Sequence, residues 1–241
     1  MARLRTLGLL GGMSWESTAI YYRALNEGVR DRVGGLHSAP LRMWSCDFAE
    51  VAALQTAGQW AEAGAILADA ARALEASGAE AIMICCNTMH EVAGAVAEAT
   101  SVPLIHIADA TGIALAAHGV RRPLLLGTRY TMDMAFISGP LATRFDLETT
   151  TPDEVDRTAL HTLIYDELCQ GVLTPVARAW LIALIEKGVA NDADSVILGC
   201  TELGLLVRQG DVSVPLCDTA TAHIVAALDF ITADIPTKAA A

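Results

Sequence analysis

Cys86 and Cys200 are the residues of this 241-residue chain whose type and setting point most directly to chemistry. Each closes an apolar run, IMICC at 82–86 and VILGC at 196–200, and each is followed by a polar pair, Asn87-Thr88 and Thr201-Glu202. That pattern reads as a strand giving way to a helix. Thr88 and Glu91 fit a capping box, which predicts a helix start near Thr88. A helix N-terminus presents free N–H groups and partial positive charge, and both favour a thiolate and lower its pKa. The same N–H groups, with the side chains of Asn87, Thr88 and Thr201, can hold a carboxylate. Two thiols facing each other suit the inversion of a carbon that carries an acidic C–H. One thiolate takes the proton from one face while the opposing thiol gives a proton to the other.

The pairing of these two cysteines rests on an internal repeat. Leu9-Leu10-Gly11-Gly12 resembles Leu125-Leu126-Gly127-Thr128, GAEAIMICCNT at 78–88 resembles NDADSVILGCTE at 191–202, and Ser-Val-Pro-Leu occurs at both 101–104 and 213–216. Gly11 to Cys86 is 75 residues and Gly127 to Cys200 is 73. Three anchors in one order at nearly one spacing imply two similar halves related by a pseudo-twofold axis. Ligands in open α/β sheets bind at the carboxyl ends of strands. Halves that face each other by those ends would put the two sulfurs on opposite walls of one pocket.

The elements that must position the cysteines are legible as short apolar runs at 5–10, 41–46, 80–86, 103–107, 123–127, 194–199 and 213–217. Near-continuous apolar strands suit parallel sheets covered on both faces. Between them lie Ala-rich helical stretches such as 59–78, where Ala63, Ile66, Leu67, Ala70 and Leu74 share one face and Gly78 gives the stop. The expected fold class is α/β: two pseudo-symmetric domains with mainly parallel sheets and the active site in the cleft between them. The expected first domain is 1–107 plus 213–241, and the second is 108–212.

Composition narrows the function. The chain is 53% hydrophobic, 18% charged and carries a formal net charge of −12. That balance indicates a globular protein and argues against nucleic acid and anionic membrane surfaces as partners. Six cysteines without regular spacing, in a chain too long to need disulfide staples, read as reduced thiols in a cytoplasmic protein. The N-terminal apolar run is broken by Gly11-Gly12 and reads as a buried strand rather than a signal peptide. The sequence carries no G-x-G-x-x-G, no P-loop and no lysine in a pyridoxal-type setting, so no cofactor is expected.

With these residues the sequence resembles the aspartate/glutamate racemase family, the pyridoxal-independent racemases that use two cysteines. The resemblance is carried by LGLLGGMSWEST at 7–18, CNTMH at 86–90, LLGTRYTM at 125–132 and GCTEL at 199–203, and it spans essentially the whole chain. Cys-Thr-Glu at 200–202 is similar to the aspartate racemase branch. The resemblance implies two pseudo-symmetric α/β domains, the C-terminal segment returning to the first, no cofactor, an amino-acid substrate and a homodimer. It implies that Cys86 and Cys200 are the acid/base pair. Asn87, Thr88, Thr201 and Glu202, with Thr128 and Thr131, would line the substrate's ammonium and α-carboxylate, and Met13 and Ser14 would sit in the equivalent first-half loop. One departure bears on the side chain of the substrate. Archaeal-type aspartate racemases carry a basic residue after the second strand, where this chain has Asp47 and Glu50. At the later position it has Thr174, and Arg129 and Arg178 are the candidate substitutes.

Other residues read more plainly. Cys85 is expected on the opposite strand face, packed in the core. Cys46 and Cys217 read as core filling, and Cys169 has no role. His90 has no partner cluster that would make a metal site and reads as a partly exposed turn histidine. Glu202 reads as a substrate ligand in preference to a solvated carboxylate at a helix N-terminus. Two rival functions stand beside amino-acid racemisation. One is a related cysteine-dependent isomerase, such as a hydantoin racemase, or a decarboxylase, which would keep a single cysteine. The other is a non-catalytic amino-acid-binding protein.

Overall fold

The computed structural model describes residues 3–235. Strands form where the apolar runs predict them: β1 Leu7–Gly11, β2 Leu41–Ser45, β3 Ala81–Ile84, β4 Leu104–Ile105, β5 Pro123–Gly127, β6 Ser195–Gly199 and β7 Leu216–Asp218. β1, β3, β5 and β6 are buried at every residue, which is why they read as unbroken apolar runs. The helix Trp60–Ala76 buries Ala63, Leu67, Ala70 and Leu74 as its period requires, whereas Ile66 sits at the edge of that face and is 38% exposed. Gly78 follows it at φ +97°, a backbone that only glycine adopts without strain. Among the described residues no helix is long and apolar enough to cross a membrane.

The chain divides into two units. One runs to His106 and resumes at His223, and the other is Ile107–Ala222. The sequence places the return to the first unit at 213. The structure places it at His223, because β7 pairs with β6 from Val196↔Leu216 to Leu198↔Asp218 and those hydrogen bonds hold it in the second unit.

Each unit has one parallel sheet, in the order β2-β1-β3-β4 in the first and β5-β6-β7 in the second. β1, β3 and β4 correspond to β5, β6 and β7. The counterpart of β2 shrinks to one bridge, Leu124↔Thr150, with Leu125 N–H donating to Thr150 O at 2.8 Å. Register carries the repeat down to the level of residues. Leu10 pairs with Ile84, and Leu126 pairs with Leu198. Two residues beyond these partners stand Cys86 and Cys200.

Alternation along the strands sorts the cores. In the second unit Leu124, Leu126, Val196 and Leu198 pack on one side with Leu160, Ile164, Leu181 and Ile185, and Leu125 and Ile197 pack on the other with Ile107, Ile137 and Leu141. In the first unit Leu10, Ile82 and Ile84 meet Leu67, Ala71 and Val96, and Cys86 continues that side.

Candidate active site

The glycine turn after β1 opens the candidate site residues of the first unit. Gly12 has φ +86°, and a Cβ there would stand 2.3 Å from Cys46 O and 2.4 Å from Cys46 N, so the loop after β2 passes directly against this backbone. Thr18 ties the turn to the helix Trp15–Val33. Its Oγ1 accepts from Gly12 N–H at 2.8 Å and donates to Ser14 O at 3.0 Å. Ser14 is that helix's N-cap, and its Oγ accepts from Ser17 N–H at 3.5 Å. Met13 is packed in the first-unit core beside Leu10, Ile84 and Met89.

Cys86 is half-buried, and Asn87 and Thr88 after it are buried. The helical backbone expected to start near Thr88 does start there, but not as a capped α-helix. Asn87 is already helical at φ −62°, ψ −53°, whereas an N-cap takes extended backbone. The chain enters a 3₁₀ turn, Thr88–Val92, and then the helix Ala93–Ala99. Cys85 is fully buried, and burial raises its thiol pKa far out of range for chemistry, as its place on the opposite face requires.

His90 departs from the exposed turn histidine that the sequence suggested. It is 2% exposed, and its Nδ1 lies 2.9 Å from Cys86 O. A carbonyl only accepts, so Nδ1 carries the proton in that bond. The ring stacks edge-on against His106 at 4.7 Å and His223 at 5.6 Å. His223 Nε2 lies 2.7 Å from Ile105 O, and Tyr21 Oη is 3.1 Å from its Nδ1. Burial and the neighbouring His106 and His223 hold His90 neutral. The His90–Cys86 spacing was the one trace of this cluster in the sequence; His106, His223 and Tyr21 come from far along the chain.

The second unit repeats this arrangement with different side chains. Thr128 N-caps the helix Arg129–Asp133, its Oγ1 accepting from Thr131 N–H at 3.2 Å, and the two hydroxyl oxygens are 3.2 Å apart. Gly199 is required by the packing of β6 on β5, since a Cβ there would lie 2.8 Å from Leu126 O. Cys200 comes next, 7% exposed, then Thr201 and Glu202, and then a helix of only four residues, Leu203–Leu206. Cys200 Sγ is 2.9 Å from Glu202 Oε2, and Thr201 O–H donates to the same oxygen at 2.7 Å. Cys169 Sγ approaches the other carboxylate oxygen at 3.9 Å, a neighbour that sequence reading passed over. Burial, then Glu202, then Cys169 raise the Cys200 thiol well above its ordinary pKa. This reverses the lowering expected from a helix N-terminus. A four-residue helix has little dipole to set against burial and an adjacent carboxylate.

The residues considered for a side-chain carboxylate are otherwise engaged. Asp47 N-caps the helix Phe48–Thr56 through Ala49 N–H at 3.1 Å, and Thr174 N-caps Pro175–Ala190. Arg129 pairs with Asp133 and Glu154, and Arg178 pairs with Asp211. Among the described residues no group of three His, Cys, Asp or Glu side chains is placed to hold a metal ion.

The family model described as Asp/Glu/Hydantoin racemase matches residues 10–227. A Yersinia pestis structure assigned to the Asp/Glu racemases is 45% identical, with a TM-score of 0.88 over 95% of this chain and 99% of its own. An aspartate racemase homologue from Pyrococcus horikoshii is 35% identical, with a TM-score of 0.82 over 96% of this chain and 100% of its own. The Picrophilus torridus aspartate racemase, at 20% identity, shares the fold with a TM-score of 0.74 over 93% of each chain. A model match across both units and both cysteines, with two such relatives, places the chain in the Asp/Glu/hydantoin racemase family.

Proposed function

We propose that this protein is a cofactor-independent amino-acid racemase that moves the Cα proton through two thiols, Cys86 and Cys200, acting on opposite faces of one substrate. The observation that carries the reading is the register. Both cysteines stand two residues beyond paired positions, Leu10↔Ile84 and Leu126↔Leu198, at the carboxyl ends of corresponding strands in a chain of racemase family. In one direction Cys86 takes the Cα proton and Cys200 returns a proton to the other face; in the reverse direction the roles exchange. Backbone N–H groups after each cysteine, with Asn87, Thr88, Thr128, Thr131 and Thr201, hold the α-carboxylate and ammonium. Aspartate and glutamate head the substrate panel, by analogy with the relatives. Neutral amino acids belong in it, because Arg129 and Arg178 already face carboxylates. Reduced thiols fit the cytoplasm, and the racemase family points to a homodimer, which light scattering reads.

The test is incubation in deuterium oxide with single enantiomers of the panel, without pyridoxal phosphate. Racemisation with deuterium at Cα is expected. Cys86→Ser and Cys200→Ser should each lose racemisation, and any Cα exchange left in either variant should be confined to a single enantiomer. Absence of exchange across the panel, or full activity in either variant, would overturn the proposal.

A further inference from the structure

The two half-sites match in their thiols and differ in what stands two residues further on. In the second unit that residue is Glu202, and the corresponding position in the first is Thr88. A neutral hydroxyl at one cysteine and a carboxylate at the other break the symmetry of the repeat.

Glu202 is 2% exposed, and its Oε2 lies 2.9 Å from Cys200 Sγ. A thiolate and a carboxylate at that distance would be two anions in contact in a poorly solvated place, so a proton lies between them. Ordinary proton affinities put it on sulfur, since a free thiol titrates near about 8.5 and a glutamate near about 4.3. The remaining geometry agrees. Thr201 O–H donates to the same oxygen at 2.7 Å, and Cys169 Sγ stands 3.9 Å from Oε1, so proton donors surround an acceptor. The titratable groups acting on Cys200 are Glu202 and Cys169. Asp218, on the neighbouring β7, turns its carboxylate to Ala220 N–H and Thr221.

We infer that Glu202 is a positioning residue that holds Cys200 as the proton-bearing thiol in the resting protein. Resting on the two-thiol reading above, this makes Cys200 the acid and Cys86 the base of the half-reaction that the resting protein is ready to begin. The protein is therefore primed for the enantiomer whose Cα–H faces Cys86. To process the other enantiomer, Cys200 must first give up its proton against the Glu202 charge.

The experiment needs no substrate. The intact protein is prepared with isotope-labelled cysteine, the Cys200 Cβ resonance is assigned by its loss in Cys200→Ser, and its shift is followed by NMR against pH. In the wild type Cys200 should remain a thiol into the alkaline range, above the midpoint of Cys86. In Glu202→Gln, which keeps size and shape, the Cys200 midpoint should fall by about one pH unit or more, a tenfold change in proton affinity. Glu202→Asp, which keeps the charge, should retain most of the elevation, and Cys169→Ala should leave it high. An unchanged midpoint in Glu202→Gln overturns the inference. So does a fall in Glu202→Asp as large as in Glu202→Gln, or a wild-type Cys200 that titrates below Cys86. Racemisation by a protein that fails this titration leaves the function standing without the role for Glu202. The expected shift in a protein that exchanges no Cα proton leaves the Glu202-held thiol standing without the function.

Discussion

Acid should destabilise this protein through His223, and the size of the effect can be worked from its surroundings. The side chain is fully buried, with Nε2–H donating to Ile105 O at 2.7 Å and Nδ1 3.1 Å from the Tyr21 hydroxyl, while the ring lies beside His90. Burial, with the adjacent His106, lowers its pKa to about 4. In the unfolded chain a histidine titrates near about 6.5, so between these values the unfolded state binds a proton that the folded state does not. Stability therefore rises with pH through that window and falls as pH drops. For His223 alone the loss from about pH 7.5 to about pH 5 works out at about 2 kcal/mol, approaching about 3 kcal/mol below pH 4. The perturbation is His223→Gln, which cannot titrate. Urea unfolding of wild type and variant across this range is the assay. Lost hydrogen bonds make the variant less stable at neutral pH by about 1–3 kcal/mol. The gap should narrow by about 2 kcal/mol at pH 5, because only the wild type still pays to keep the ring neutral. His90, shifted the same way chiefly by burial, contributes to both proteins, with only the smaller His223 part of its shift removed in the variant. Parallel stability curves for the two proteins would refute the reasoning.

Two further substitutions probe the glycine turn after β1. Thr18→Val removes the acceptor of Gly12 N–H and should cost about 1–3 kcal/mol in chemical denaturation, since a buried donor loses its partner. Gly12→Ala meets both a positive φ and the Cys46 backbone at 2.3 Å, and should cost upwards of about 2 kcal/mol; a stability equal to wild type would show that the loop after β2 moves aside freely.

Symmetry in the backbone and asymmetry in the side chains have separate consequences in this chain. β1 with β3 and β5 with β6 deliver a cysteine to the same register position in each unit, so the thiols are equivalent by construction. Their environments are not. Cys86 is followed by a 3₁₀ turn whose His90 side chain binds the Cys86 carbonyl, whereas Cys200 is followed by a carboxylate that binds its sulfur.

The strands, the helix Trp60–Ala76 and the repeat were legible in the sequence because burial on both faces of a parallel sheet leaves an apolar run, and burial on one helix face leaves a period. The correspondence of Cys86 with Cys200 was legible for the same reason, since repeated strands repeat their ends. Local spacing also marked Thr88 as a helix start, but it could not tell a capped α-helix from the 3₁₀ turn that Asn87's helical backbone produces. The tertiary structure decided the rest. It put β7, and with it 213–222, in the second unit through pairing with β6. It gathered Tyr21, His90 and His223, all buried, with half-buried His106 from distant segments into one cluster, for which no local pattern exists. It also turned Glu202 from a helix-terminal carboxylate into the partner of Cys200 and so raised a pKa that sequence reading had lowered. Local pattern records which residues are buried and how the backbone turns. Proton affinity depends on which charges burial brings within a few ångströms, and that is fixed only when the chain has folded.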